Sequence, residues 1–245
     1  MRGRAVSGRQ ALAKITLERQ NVFRTCRAAT REALLVASSV RRYADGDTIV
    51  IRGEPMPHLL LVMGGSVELG MLSVRGKRYV RWFLPPDQAQ GFIPVIDGKG
   101  AIFDARAHGE TVLLLLPRET LMAAIGSDPA LAQALLTEFC GRSRAMHEAA
   151  ASDALLPLRG RVARMILLLA DTYGVKNANG ILVSLKLSQD EFATLLAVAR
   201  QALNRELKAL EADGAIAIAY STITVLNRAA LEASAETRPS GPVFG

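Results

Sequence analysis

Residues 188–214 constrain the fold of this chain more than any other stretch, because they spell out two short helices joined by a tight turn. Ser188 is followed three residues later by Glu191. This is a capping box, in which a hydroxyl and a carboxylate satisfy each other's orphan amides and so fix where the first helix begins. In the second helix Leu203, Leu207 and Leu210 recur at i, i+4 and i+7 and form one apolar stripe. Arg200, Gln201, Asn204, Arg205 and Lys208 fall on the opposite side. Arg pairs bidentately with guanine, Asn or Gln with adenine, and Lys meets a phosphate as a point charge. The pair reads as a helix-turn-helix with DNA as its expected partner, its contacts assigned to those five residues together with Ser188 and Gln189. Any amphipathic surface helix shows a similar division of faces, so the flanks matter. Residues 181–185 read as a strand, and residues 215–219 and 222–225, with Tyr220-Ser221 between them, read as a hairpin. Strand, helix pair and hairpin in that order predict a winged helix.

Upstream the pattern changes. Residues 1–15 read as a basic, low-order leader, and residues 16–39 as helical, with Val22, Phe23, Leu34 and Leu35 among the apolar positions. Residues 41–116 read as short strands broken at Asp45-Gly46-Asp47, Arg52-Gly53-Glu54, Gly64-Gly65, Arg75-Gly76-Lys77 and Asp97-Gly98. Such spacing predicts an antiparallel sandwich or jelly roll. Asp128-Pro129 opens a long helix that Pro157 ends, with proline in the first turn where its missing N–H is harmless. Residues 159–173 predict a further apolar-rich helix, and the end from Ala235 through Pro239 and Pro242 is expected to be disordered. The predicted class is α+β: an N-terminal antiparallel β-roll over residues 16–127, a long helix over 128–156, and a C-terminal winged helix-turn-helix over 157–230.

Several functions are excluded. The longest apolar runs, such as Leu113 to Leu116, are far too short to span a bilayer. The basic N-terminus lacks the apolar segment of a signal peptide, so a cytoplasmic protein is expected, with no membrane partner. Cys26 and Cys140 are too few for a disulfide framework, and neither they nor His58, His108 and His147 have metal-ligand spacing; no metal is expected. Gly98-Lys99-Gly100 lacks the spaced glycine and Lys-Ser/Thr ending of a P-loop. With no triad, paired carboxylates or zinc arrangement at a recognisable spacing, no enzyme is expected. The net charge of +7 suits a polyanion. Its location is less simple. Eight basic residues face six acidic ones between residues 158 and 214, while the strong excess lies between Arg2 and Arg42, where Glu18 and Glu32 oppose a run of arginines.

Two segments carry a family resemblance. Gly46-Asp47, Arg52-Gly53-Glu54 and Leu59-Leu60-Leu61-Val62 before Gly65-Ser66-Val67 look like the first half of a cyclic-nucleotide-binding fold. Arg200-Gln201 through Arg205, ending in Leu210-Glu211-Ala212-Asp213-Gly214, looks like a recognition helix and its exit. The chain resembles the Crp–Fnr family of bacterial transcription regulators from about residue 23 to 226. The resemblance implies a sequence-specific regulator that acts on a palindromic double-stranded DNA site as a homodimer, with RNA polymerase as a further partner. It also implies that the long helix pairs with its twin. Ala132, Leu135, Phe139, Met146 and Ala149 occupy a/d-like positions there, interrupted by Arg142. In the family a Ser normally stands where this chain has Ala199, and a Gly where it has Ala197.

The sensor departs from the pattern. Family members that bind cyclic AMP use a Gly-Glu for the ribose and, about ten residues later, an Arg-Ser for the cyclic phosphate. Here the corresponding positions are Gly91-Phe92 and Ala101-Ile102, and the Thr-Ser that holds adenine aligns with Met146-His147. Burying a phosphate without a cation is costly, and Arg106 is displaced by five positions. Cyclic AMP is therefore not expected as a cofactor. The oxygen-sensing branch uses clustered cysteines, and Cys26 stands alone. The candidate pocket residues Phe92, Ile93, Ala101, Ile102, Arg106, Met146 and His147 leave two readings: a site for an unknown effector, or collapsed core. A second class of function also stays open, a cyclic-nucleotide-fold signalling or scaffold protein whose winged helix docks a protein.

Overall fold

The computed structural model describes residues 2–72, 78–219 and 221–235. The expected turn at Arg75-Gly76-Lys77 and the tail after Ala235 lie outside them. The chain forms two compact units, residues 1–142 and 143–245, each with its own interior.

The first unit opens with helices α1 (Arg2–Arg19), α2 (Asn21–Arg24) and α3 (Ala28–Ala37). Helix α1 corrects the expected low-order leader. Its later turns bury Ala13, Thr16 and Leu17, and the following Gln20 is buried as well. Arg19 pairs with Asp87 at 3.0 Å, and Gln20 Nε2 donates to the Asp87 carbonyl. Docking of that apolar face holds a helix that the glycines and arginines of its first turns disguise. The strands β1 (Ser39–Tyr43), β2 (Thr48–Val50), β3 (His58–Leu72), β4 (Arg78–Leu84), β5 (Ala89–Gln90) and β6 (Asp104–Pro117) form one antiparallel sheet in the order β1-β6-β3-β4, with β2 on β6 and β5 on β3.

Two of these strands are long. The expected turn at Gly64-Gly65 is instead an irregularity inside β3, which continues past it while its register against β6 shifts. Gly65 has φ +76°, and a Cβ there would lie 2.3 Å from the Glu110 carbonyl oxygen, so only glycine permits this crossing of backbones. Leu59 and Leu61 of β3 and Leu113, Leu114 and Leu116 of β6 are fully buried, as is Phe23 of α2. Between β5 and β6 lies a short helix, α4 (Phe92–Asp97), and after β6 comes α5 (Arg118–Ser127).

Asp128 then starts the long helix α6 (Pro129–Leu155). Its carboxylate accepts from Thr30 Oγ1 at 2.7 Å, from the Arg27 amide at 2.8 Å and from the Ala130 amide at 3.2 Å. These bonds tie the start of α6 to α3. The expected a/d seam needs correcting. Leu131 and Leu135 are buried in the first unit's own core, and Phe139 packs on that core. Arg142 does not interrupt an outward seam; it turns onto the roll, donating to the Ala89 carbonyl at 3.0 Å.

In the second unit α7 (Leu158–Tyr173) leads to β7 (Gly174–Asn177), β8 (Gly180–Val183), α8 (Gln189–Leu195), α9 (Arg200–Ala212), β9 (Ile216–Ala219), β10 (Thr222–Val225) and α10 (Arg228–Ala235). The expected strand is β8, and β7 adds an edge to it, giving a sheet ordered β7-β8-β10-β9. Val162, Ala163 and Ile166 of α7 are fully buried, as is Leu203 of α9, with Leu207, Leu210 and Ile216 nearly so. Helix α10 packs on α7, where Arg228 Nη1 reaches Asp171 at 2.5 Å. No helix among the described residues is long and apolar enough to cross a membrane.

Candidate nucleic-acid interface

The capping box forms as the spacing predicts. Ser188 Oγ accepts from the Glu191 amide at 3.2 Å, and the Glu191 carboxylate accepts from the Ser188 amide at 2.8 Å. The other end of α8 is closed by two backbone hydrogen bonds. The Ala197 amide donates to Thr194 O at 3.1 Å and the Val198 amide to Ala193 O at 3.0 Å. This is a Schellman closure, which places the residue after the cap in the left-handed region. That residue is Ala197, at φ +54°, where glycine is usual. Two residues later α9 begins at Ala199, an N-cap with no side-chain hydrogen bond. The turn that aims α9 thus closes through main-chain bonds around an alanine at positive φ, with no side-chain cap on α9.

Helix α9 buries its leucine stripe and leaves Arg200, Gln201, Arg205 and Lys208 exposed, with Asn204 half-buried beside them. Those side chains differ in what already holds them. Arg200 Nη1 donates to Asp190 Oδ2 at 3.1 Å, and its Nε to Gln189 Oε1 at 3.4 Å. The first helix thus tethers Arg200 through Asp190, a residue the sequence reading did not single out. Arg205 and Lys208 have no ion-pair partner among the described residues. Their charge is available to an incoming ligand without breaking a bond first. Ser188 and Gln189, by contrast, already serve α8 and Arg200.

A second residue missed in the sequence is Arg161 on α7. Its Nη2 donates to the Leu196 carbonyl at 2.8 Å and its Nε to Asp153 Oδ1 at 3.1 Å. One guanidinium, with a side chain only 21% exposed, therefore joins the last turns of α6 to the closure of α8. Arg159 likewise pairs with Asp213 at the end of α9. Neither pairing leaves a mark in sequence spacing.

The candidate sensor residues do not share one environment. Phe92 opens α4 and is buried, its ring 6.5 Å from those of Phe23 and Phe139. The Arg142 guanidinium lies over it at 5.3 Å from the ring centre. Ala101 is also buried, whereas Ile93, Ile102 and Arg106 are exposed. Met146 and His147 are exposed on α6, in the second unit. The Phe92 ring and the Ala101 methyl, expected from the resemblance to stand at the ribose and phosphate positions, are both packed in core. Of the two thiols, Cys26 is buried and its pKa is raised by that burial, while Cys140 is exposed. No group of three or more potential metal-ligating side chains occurs among the described residues.

Comparison with known proteins agrees with this architecture. Residues 160–234 match the Crp-like helix-turn-helix domain, and residues 40–128 match the cyclic nucleotide-binding domain. The transcriptional regulator LdrP of Thermus thermophilus is 31% identical over 203 residues, covering 80% of this chain and 96% of its own. The CRP-like cAMP-activated global transcriptional regulator of Mycobacterium tuberculosis is 24% identical over 191 residues, covering 78% and 85%. Among solved structures, a transcriptional regulator of the CRP family from Thermus thermophilus is 30% identical with a TM-score of 0.62, covering 80% and 96%. FixK2 from Bradyrhizobium japonicum shares the fold at a TM-score of 0.73 and 21% identity, covering 82% and 98%.

Proposed function

The chain belongs to the Crp–Fnr family of transcription regulators, and from that premise we propose that it reads a two-fold-symmetric DNA site as a homodimer whose sensor takes no cyclic nucleotide. The carrying observation is the exposed face of α9, where Arg205 and Lys208, without an ion pair among the described residues, stand opposite a buried leucine stripe. A helix that docked a protein would present apolar surface there; this one presents donors. Arg205 and Gln201 serve base edges, Lys208 a phosphate, and Arg200 contacts DNA only after exchanging Asp190 for it.

The dimer reading rests on α6. With Leu131, Leu135 and Phe139 committed inward, Leu136, Cys140, Ser143 and His147 follow one another at i, i+4, i+7 and i+11 along an exposed stripe. A second copy of the same stripe is its occupant, because a helix-turn-helix reads half-sites about one DNA turn apart and needs a two-fold partner. The apolar packing of Phe92 against Phe23 and Phe139 supports a sensor without cyclic AMP, unlike the cAMP-activated mycobacterial relative.

Selection of bound fragments from genomic DNA tests the reading and returns the site symmetry. On the selected site Arg205→Ala should cost about 1–3 kcal/mol and relax preference at one base pair of each half-site, whereas Lys208→Ala should weaken all sequences alike. An Arg205→Ala protein with unchanged affinity and preference removes α9 from the major groove. Micromolar binding of cyclic AMP in a calorimetric titration removes the proposed sensor.

A further inference from the structure

Arg200 is the first residue of α9, and its side chain reaches back to the first turn of α8. Its Nη1 donates to Asp190 Oδ2 at 3.1 Å and its Nε to Gln189 Oε1 at 3.4 Å. A carboxylate is an unexpected neighbour for an arginine meant to meet a polyanion. The other acid of that turn, Glu191, is spent on the capping box, where it accepts from the Ser188 amide at 2.8 Å and the Ser188 hydroxyl at 2.7 Å. The Asp190 carboxylate serves Arg200 instead.

Both side chains of this pair are open to solvent, 56% for Arg200 and 70% for Asp190, so the pair is readily exchanged for another partner. Exposed pairs of this kind hold by a factor of about 1.5–5. What Arg200 takes in exchange then matters. A phosphate arriving there brings its negative charge to roughly 6–8 Å from the Asp190 carboxylate, inside the screening length of about 10 Å at 0.1 M salt. A guanine edge offers two acceptors, O6 and N7, and no net charge. The carboxylate therefore penalises the phosphate and spares the base. Arg205 and Lys208, which have no ion pair among the described residues, carry no such penalty.

We propose that Asp190 is a specificity-determining residue: by cancelling the charge of Arg200 it turns that side chain from a phosphate binder into a base reader. The inference rests on the reading of this chain as a DNA-binding regulator and deepens it. Asp190→Asn keeps an oxygen for Arg200 and removes the charge. Affinities of the full-length parent and variant are measured on a selected site and on scrambled DNA, from about 50 to 200 mM salt. At the lowest salt the variant should bind scrambled DNA about 3- to 10-fold more tightly and gain less on the selected site, so discrimination falls. On scrambled DNA its slope of log affinity against log salt should steepen by about 0.9, the mark of one more neutralised phosphate. Asp190→Glu should keep the parent's discrimination and slope. In an Arg200→Ala background Asp190→Asn should change neither. A merely structural role would lower the melting temperature of the second unit and weaken binding to both DNAs alike, and that result overturns the proposal. So does unchanged discrimination in Asp190→Asn. The same gain on scrambled DNA with Arg200 already alanine also overturns it, since Asp190 would then act as a general repulsive charge. A parent protein that selects no DNA at all overturns the regulator reading itself.

Discussion

Replacing Ala197 by glycine should make the second unit more stable, even though it deletes a methyl group. Ala197 closes α8 at φ +54°, and its amide and that of Val198 make the two bonds of the Schellman closure. An L-residue in this region costs roughly 1–2 kcal/mol, because Cβ crowds the following carbonyl. Glycine removes that strain. It also gives the unfolded chain more freedom, which costs about 0.4–1 kcal/mol in return. Ala197 is exposed, so little packing is lost with its methyl. The difference favours glycine by about 0.5–1 kcal/mol. For a unit of this size that raises the melting temperature by roughly 2–6 °C. Scanning calorimetry of the full chain, following the transition that carries the second unit, measures it directly. Ala197→Val should move the same transition the other way, since a β-branched residue tolerates positive φ least. A glycine variant that melts at or below the parent temperature would falsify the claim that strain is stored in this turn.

Three further outcomes follow from single contacts. Leu136→Glu on the outward stripe of α6 should give folded monomers in sedimentation, whereas Phe139→Glu should unfold the roll by forcing a charge against Phe92; a Leu136→Glu dimer of unchanged strength sinks the proposed seam. Arg161→Met removes the donor to the Leu196 carbonyl and should cost about 1–3 kcal/mol. Hydrogen exchange at the Ala197 and Val198 amides should speed up accordingly, and unchanged protection there rules the clamp out. The Thr30 hydroxyl, the Arg27 amide and the Arg27 guanidinium hold the Asp128 carboxyl at about 2, below its ordinary 3.8. Its contribution is therefore complete above about pH 4 and lost as pH falls from about 4 to about 2; unfolding curves of Asp128→Ala should show less acid sensitivity than those of the parent across that window.

Features written in local spacing were legible in the sequence, and features set by a distant partner were not. The capping box, the leucine stripe of α9 and the proline boundaries of α6 each depend on residues within one or two turns. The stripe on α6 was legible as a period but not as a direction. Helical spacing cannot say whether Leu135 and Phe139 face the chain's own roll or a twin, and burial against Phe92 and the surrounding core decides that. Gly64-Gly65 has the composition of a turn and of a bulge alike, and the approach of Glu110, more than forty residues away, selects the bulge. Asp190 and Arg161 carry no motif, because an ion pair between helices has no fixed spacing. Ala197 was visible as a departure from glycine, but its strain became apparent only with the dihedral angle.

The long strands of the first unit also set the order in which the chain acquires structure. Strand β1 pairs with β6 from Ser39 against Leu115 to Tyr43 against Thr111, so the pairing must wait until residues near 115 have been synthesised. Closing so large a loop is slow, since its entropy is given up before the pairing it permits can form. The pairs of the second unit span shorter loops: β7 meets β8 across two residues, β9 pairs with β10, the next strand in the chain, and the longest separation is that of Leu182 against Thr224. In refolding, the winged helix should therefore reach its native protection first and the roll last. During synthesis the reverse holds, because the roll emerges from the ribosome ahead of it. Until β6 is complete, the apolar run Leu59 to Val62 of β3 lacks the strand it pairs with, and that interval is when the nascent chain is most exposed to aggregation.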